Sequence, residues 1–345
     1  MHRAFYHLAC LIVLLGTCAV NAQNRILVVH SYHEGYSWTD SIQAGIDRAL
    51  SNQGYEVKVI YMDTKRRTDE SWKIQSGRHA LQVVDTFKPD VVIASDDNAQ
   101  LYFASELSSR DESPRVVFCG INGAPRDYGY PNKHATGMVS RSHTTKTLKL
   151  AKALDTSIHR VMFLSDNSLT SQRAYTDYKK QTFPVEVEGF YQVSNFSQWK
   201  TMVIRANLTA DALLVTLYHT IKRTSQDDAS MPPEEVMKWT VENSKVPILG
   251  VYPFAVRDGA VMGICSSGKE HGYLAALTAI DMIKTGRSAS RYPINSSVEG
   301  KIMFNLQSAR VHHIEIPEHL QKMAVLINAI NKAGITAEAS PQPAH

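Results

Sequence analysis

Apolar and polar positions follow a repeating order along this chain: a short apolar run, a polar loop, then apolar residues at helical spacing. Arg25–His30 (RILVVH) is apolar almost throughout, the pattern of a strand covered on both faces. Trp38–Asn52 carries Ile42, Ile46, Ala49 and Leu50 on one stripe and stops at Gly54, which predicts a helix. Tyr55–Met62 alternates and is rich in β-branched residues, so it reads as a second strand. Ser71–Phe87 is a second helix, stopped before Pro89. Asp90–Ala94 (DVVIA) is a third strand, Asn98–Leu107 a third helix and Arg115–Cys119 (RVVFC) a fourth strand. Strands alternating with helices predict a parallel sheet with right-handed crossovers.

The order then restarts. Thr145–Leu154 reads as a helix, His159–Leu164 as a strand and Thr170–Thr182 as a helix. Val185–Tyr191, Asp211–Leu217 and Pro247–Gly250 read as strands, with helices at Phe196–Ala206 and Pro233–Glu242 between them. Ala260–Cys265 is a further strand, and Gly272–Thr285 is a helix ended by Gly286. Lys301–Asn305 and His312–Ile316 are short strand candidates, and Glu318–Ala333 reads as a terminal helix. The expected fold class is α/β: two doubly wound parallel-sheet lobes with a cleft between them.

The N-terminus changes the picture of where the chain works. Arg3 precedes a mostly apolar stretch from Ala4 to Val20, and Val20-Asn21-Ala22 places small residues at the −3 and −1 positions of a cleavage site. That order predicts a secretory signal over residues 1–22 and a periplasmic protein. The alternatives are a membrane anchor, for which the run is short, and lipid attachment at Cys18 within Leu15-Gly16-Thr17-Cys18. Removal of residues 1–22 leaves Cys119 and Cys265, both in apolar runs; they read as buried thiols or as a pair. The 345-residue chain has a net charge of +4, with both signs scattered, which excludes a nucleic-acid footprint.

Ligands of open α/β sheets bind beyond the carboxyl ends of the strands. After the first strand come Ser31, Tyr32, His33, Tyr36 and Trp38. After the third come Ser95, Asp96, Asp97 and Asn98, and after the fourth Gly120 and Asn122. The second series places Asp166, Asn167 and Ser168 at such an end, then Tyr218 and His219, then Tyr252. Aromatic faces with oriented Asp, Asn and Ser groups suit a small amphipathic solute such as an amino acid or a peptide-like metabolite. Each residue also has a structural role open to it. Tyr32, Tyr36 and Trp38 can cover the sheet edge, Asp96 or Asp97 can cap the third helix, and Asn122 before Gly123 can make a turn.

Catalytic motifs are missing. There is no GxSxG elbow, no GxxxxGK[ST], no GxGxxG after the first strand and no HExxH. His312, His313, Glu315 and His319 form a local cluster whose ordinary explanation is surface histidines, so neither a metal nor a cofactor is expected.

Several of these segments are similar to one family. Ile26-Leu-Val-Val-His-Ser-Tyr-His-Glu-Gly-Tyr-Ser-Trp-Thr-Asp40, Ala94-Ser-Asp-Asp-Asn98, Val116-Val-Phe-Cys-Gly-Ile-Asn122 and Gly259–Gly272 resemble the ABC-transporter substrate-binding proteins of the tryptophan/tyrosine-uptake type. Related domains serve as extracytoplasmic sensors, and the HSYHEGYSWTD opening looks closer to those. The resemblance implies a type I periplasmic-binding fold. The first lobe would hold residues 23–138 plus 268–292, the second residues 139–267 plus 293–333, with a disordered tail at 334–345. It implies ligand contacts from Tyr32, Trp38, Asp96, Asn122, Asn167, Tyr218 and Tyr252. Its expected partners are a small-molecule ligand and either an ABC permease or a membrane-bound histidine kinase or diguanylate cyclase, with no nucleic acid. A hydrolase or isomerase acting in the cleft is the competing class, and no nucleophile–base set supports it.

Overall fold

The computed structural model describes residues 23–227, 229–296 and 300–328. The expectations for the export signal, Cys18 and the tail fall outside them.

The chain builds two sheets. The first holds β1 (Arg25–His30), β2 (Glu56–Tyr61), β3 (Val91–Ser95), β4 (Arg115–Ile121), β5 (Ala135–Val139) and a late strand at Asn295–Ser296. The second holds β6 (Arg160–Asp166), β7 (Glu186–Val193), β8 (Ala212–Val215), β9 (Ile248–Gly250) and β10 (Met262–Ser266). With Asn295–Ser296 taken as β11, the second sheet closes with β12 (Gly300–Asn305) and β13 (Val325–Ile327). The orders are β11-β5-β4-β3-β1-β2 and β13-β12-β10-β9-β8-β6-β7. Each series therefore starts in the interior of its sheet, adds its second strand on one side and the remaining three on the other. All pairs are parallel except β10 with β12.

Composition explains the placing of these strands. The interior strands β1, β3 and β4 bury Ile26–Val29, Val91–Ala94 and Val116–Cys119 completely, each large side chain contributing about 1.5–3 kcal/mol. The outer strand β2 (EVKVIY) alternates charge with apolar residues and stays half exposed. β5 was not expected as a strand: ATGMV is short and broken by Gly137, whose missing Cβ lets the backbone lie against Phe118.

The crossover helices are α1 (Ser37–Leu50), α2 (Glu70–Phe87), α3 (Asp96–Ala99) and α4 (Ser105–Ser108) in the first series. The second series has α5 (Thr144–Leu154), α6 (Leu169–Tyr178), α7 (Phe196–Thr209), α8 (Pro233–Asn243) and α9 (Pro253–Arg257). α10 (Gly268–Thr285), α11 (Leu306–Val311) and α12 (Glu318–Met323) follow. α10 begins four residues before the expected Gly272, because Ser267 caps it by accepting the Glu270 N–H. It returns to the first sheet and packs on α1, where Gly45 and Gly272 let the two backbones touch. The region expected as one helix over Asn98–Leu107 is instead α3 and α4 joined by a π-helical turn at Gln100–Ala104.

Three expectations near the C-terminus change. His312–Ile316 is a loop. The helix at Glu318 stops at Met323, because Val325–Ile327 pairs with β12 at the sheet edge. The first sheet also recruits β11, so the chain leaves it after Ser296 rather than at Tyr292. Cys119 and Cys265 are buried free thiols. No described helix is long and apolar enough to cross a membrane.

Candidate functional site

The carboxyl ends of both sheets face each other across a narrow cavity lined by residues of both lobes. Hydroxyls in the turns hold the first lobe's side together. Ser31 Oγ donates to the Ser95 carbonyl at 2.6 Å and accepts the Ala99 N–H at 2.7 Å, which ties the end of β1 to the end of β3. Thr64 Oγ1 donates to the Ser31 carbonyl and accepts from Asn98 Nδ2, which brings in the turn after β2.

Asp96 sits where β3 turns into α3, at φ 66°. This is a left-handed conformation that Asp tolerates better than most side chains. Gly120 leaves room for it: a Cβ there would lie 2.9 Å from Asp96 Oδ1. Trp38 Nε1 donates to Asp96 Oδ1 at 2.9 Å, while Oδ2 is buried without a hydrogen-bond partner. Burial pushes the Asp96 carboxyl up to about 8, against the opposing pull of the Trp38 N–H.

Its neighbour Asp97 has a different task. It accepts the backbone N–H groups of Asn122 and Gly123, the Tyr128 hydroxyl and Asn122 Nδ2, so it organises the turn after β4. Neither acid makes a side-chain cap on α3. In the second lobe Asp166 accepts Ser168 Oγ, Ser171 Oγ and the Thr220 N–H, and shapes the turn between β6 and α6. Burial raises its pKa, but the Lys65 ammonium and these hydroxyls outweigh that and leave it below the ordinary carboxylate value.

The walls of the cavity are aromatic. Tyr32, Tyr36 and Trp38 line it from the first lobe, and Tyr252, Phe254 and Leu217 from the second. Trp38 meets Tyr252 edge-on at 5.9 Å, and Tyr252 stacks on Phe254 at 5.3 Å. Polar groups cross the gap between the lobes. Tyr32 Oη lies 2.8 Å from Thr170 Oγ1, and the Tyr252 hydroxyl donates to Asn122 Oδ1 at 3.5 Å. Ser140, at the end of β5, completes the polar lining with Lys65.

Tyr32, Trp38, Asp96, Asn122 and Tyr252 thus stand in the cavity wall. Asn167 and Tyr218 do not. Asn167 is exposed and accepts from Gln172 Nε2, one turn along α6. Tyr218 points into the second lobe, donating its hydroxyl to Asp258 at 2.5 Å, and its neighbour Leu217 faces the cavity instead. The main residue that the sequence did not reveal is Lys65. It lies in the polar run Asp63-Thr64-Lys65-Arg66-Arg67 and is 3 % exposed. Its Nζ stands 4.9 Å from the centre of the Tyr32 ring and has no hydrogen-bond partner among the described residues. Burial lowers its pKa, opposed by the charges of Asp166, Asp96 and Asp97. Among the described residues no group of three or more His, Cys, Asp or Glu side chains is arranged to hold a metal.

Residues 32–327 match the family model described as ABC transporter substrate binding protein. No curated protein matches the chain. Among solved structures, the chain is similar to the ABC domain from Streptococcus pneumoniae in complex with L-Trp, with a TM-score of 0.69 and 20 % identity over 89 % of this chain and 100 % of that one. It is similar to a conserved domain protein from Vibrio cholerae, with a TM-score of 0.67 and 15 % identity over 89 % and 100 % of the two chains. A more distant likeness is to the complex of the TorS sensor domain with TorT in the absence of ligand, at 0.53 and 10 % identity over 88 % and 97 %. At these identities the likeness shows the fold, which is the two-lobed type I periplasmic-binding fold.

Proposed function

Because the chain belongs to the family of ABC transporter substrate-binding proteins, we propose that it works in the periplasm, captures a small amphipathic, amino-acid-like solute by closing its lobes, and delivers it to an ABC importer. The observation that carries the reading is the cavity between the strand ends, walled by Trp38, Tyr252 and Phe254 and holding a buried Asp96 oxygen without a partner. Aromatic faces take an apolar side chain, and the free carboxylate oxygen takes an ammonium group. The S. pneumoniae relative, solved with L-Trp, supports the same solute class. Closure is favoured because the ligand contacts both lobes only in the closed state. The reading is of binding alone, with no reaction on the solute.

A second reading has a specific observation behind it. The likeness to the TorS–TorT complex favours a ligand-binding subunit for a membrane-bound histidine kinase or diguanylate cyclase, which would use the same closure. The two share one ligand site and differ in the partner that reads the closed form.

Thermal unfolding against amino acids, amines, carboxylates, purines and sugars tests the binding step. A solute at 100 times its Kd stabilises by about 2.7 kcal/mol, which raises the midpoint by several degrees. The expected result is a rise with amino acids that Asp96→Ala removes. No rise with any class, and no solute released on denaturation, overturns the reading. Co-purification of the loaded protein with a permease or with a kinase then decides between the two partners.

A further inference from the structure

Among the described residues, Lys65 and Asp96 are the acidic and basic side chains that line the cavity, and each carries a buried polar atom without a hydrogen-bond partner. A buried ammonium is held in folded proteins by a counter-charge in contact with it, because desolvation otherwise disfavours it. Among the described residues, the acids near Lys65 do not supply that contact. Asp97 is taken by the turn after β4, and Asp166 by Ser168, Ser171 and Thr220. Asp96 gives one oxygen to Trp38 and leaves the other free. Lys65 is left with the face of Tyr32 at 4.9 Å, a weak partner for a full charge, and with the longer-range attraction of Asp166.

The backbone of the same residue meets the second lobe. Ser230 Oγ donates to the Lys65 carbonyl at 3.2 Å, and Arg67 forms an antiparallel bridge with Ala229. The turn that carries the unpaired ammonium is therefore held against the opposite lobe, and the ammonium is enclosed as the lobes meet.

We propose that Lys65 is the anion-binding residue of the cleft, holding a carboxylate of the solute while Asp96 holds its ammonium, so that the site selects a zwitterion. This rests on the solute-binding reading and adds a residue and a selectivity to it. A neutral ligand leaves Lys65 without a counter-charge in contact, and a simple amine leaves it facing a second cation. A zwitterion gives the ammonium a carboxylate and gives Asp96 a cation that favours its ionised form.

Calorimetry with matched sets tests it: L-tryptophan, tryptamine and indole-3-propionate, then L-leucine, 3-methylbutylamine and 4-methylpentanoate, each with the unaltered protein, Lys65→Met and Lys65→Arg. The amino acid of one set is expected to bind, with its amine at least about tenfold weaker. Lys65→Met lowers the affinity for the amino acid by about tenfold or more and that for the amine by less than about threefold. Lys65→Arg keeps most of the discrimination, and unchanged melting of the unliganded variants shows that they fold. If Lys65→Met weakens amino acid and amine alike, or if the amine binds the unaltered protein as well as the amino acid does, Lys65 does not read a carboxylate, although the protein still binds solute. Binding of the amines or the carboxylates alone overturns the zwitterion assignment and leaves the solute-binding reading standing. Binding of nothing overturns both.

Discussion

Trp38 and Asp96 come from different strand ends of the first lobe and meet through one hydrogen bond, Trp38 Nε1 to Asp96 Oδ1 at 2.9 Å. That bond fixes the carboxylate with one oxygen occupied. It also makes the indole a structural part of the charge site as well as an aromatic wall for the cavity.

Trp38→Phe keeps an aromatic ring and deletes the donor. A hydrogen bond from a neutral donor to a buried charged group is worth about 1.5–3 kcal/mol. L-tryptophan binding, read by calorimetry, is expected to weaken by about tenfold or more, with the loss smaller for indole-3-propionate, which makes no use of Asp96 as a cation site. Equal losses for both probes would place Trp38 in the wall alone.

Burial raises Asp96 to about 8. Between its ordinary value near 4 and that pH, the folded protein keeps a proton that the unfolded chain has released. The unliganded protein accordingly loses stability as pH rises through this window. Asp96→Asn cannot ionise and still accepts from Trp38. The variant's advantage in urea unfolding should be small at about pH 4 and grow to a few kcal/mol by about pH 9. An advantage that is the same at both pH values would remove burial as the cause.

Arg173 of α6 reaches Asp127 in the first lobe at 2.6 Å, with 31 % and 32 % of the side chains exposed. A pair this wet contributes at most about 1 kcal/mol, and only when the lobes are closed. Asp127→Asn should lower affinity for L-tryptophan by no more than about fivefold and flatten its dependence on salt. A loss of a hundredfold would show that the pair does more than hold the mouth of the cleft.

Gly272 lies where α10 crosses α1, and a Cβ there would fall 1.9 Å from the Ile42 carbonyl oxygen. Gly272→Ala forces the helices apart, at a cost of about 1–3 kcal/mol or more. The urea midpoint should fall with the slope unchanged, whereas Gly286→Ala meets no neighbouring atom and should cost only the backbone strain of its left-handed φ of 68°, about 1 kcal/mol.

Burial pushes the Cys119 and Cys265 thiols far above their ordinary range. Neither should react with a thiol reagent in the native protein, and both should react in denaturant. Labelling of one without the other under native conditions would mark a local opening.

The sheets were legible because they are local. A short, β-branched apolar run such as RILVVH or RVVFC fits a covered strand by its length and composition, and the helical stripes between such runs impose the alternation that makes two parallel sheets. Strand ends were legible for the same reason, and Trp38, Asp96 and Tyr252 were found there. Direction was not: of the adjacent Leu217 and Tyr218, the packing of the second lobe turns the tyrosine inward onto Asp258 and leaves leucine to the cavity. Elements whose stability comes from a distant partner were also hidden, as with β13 (VLI), which is a strand because β12 offers it an edge. Lys65 shows the limit most sharply. In a run of Asp, Thr, Lys and two Arg it has the composition of a solvated loop, and nothing within that run distinguishes it from Arg66, which is exposed. Its burial comes from the Tyr32 ring of its own lobe and from Ser230 of the other, both far from it in the chain, and the second meets it only when the two lobes face each other. The sequence by itself determined the order of strands and helices and which residues stand at the strand ends; which of those ends share a cavity, and which charge is enclosed there, depended on long-range packing that no local pattern encodes.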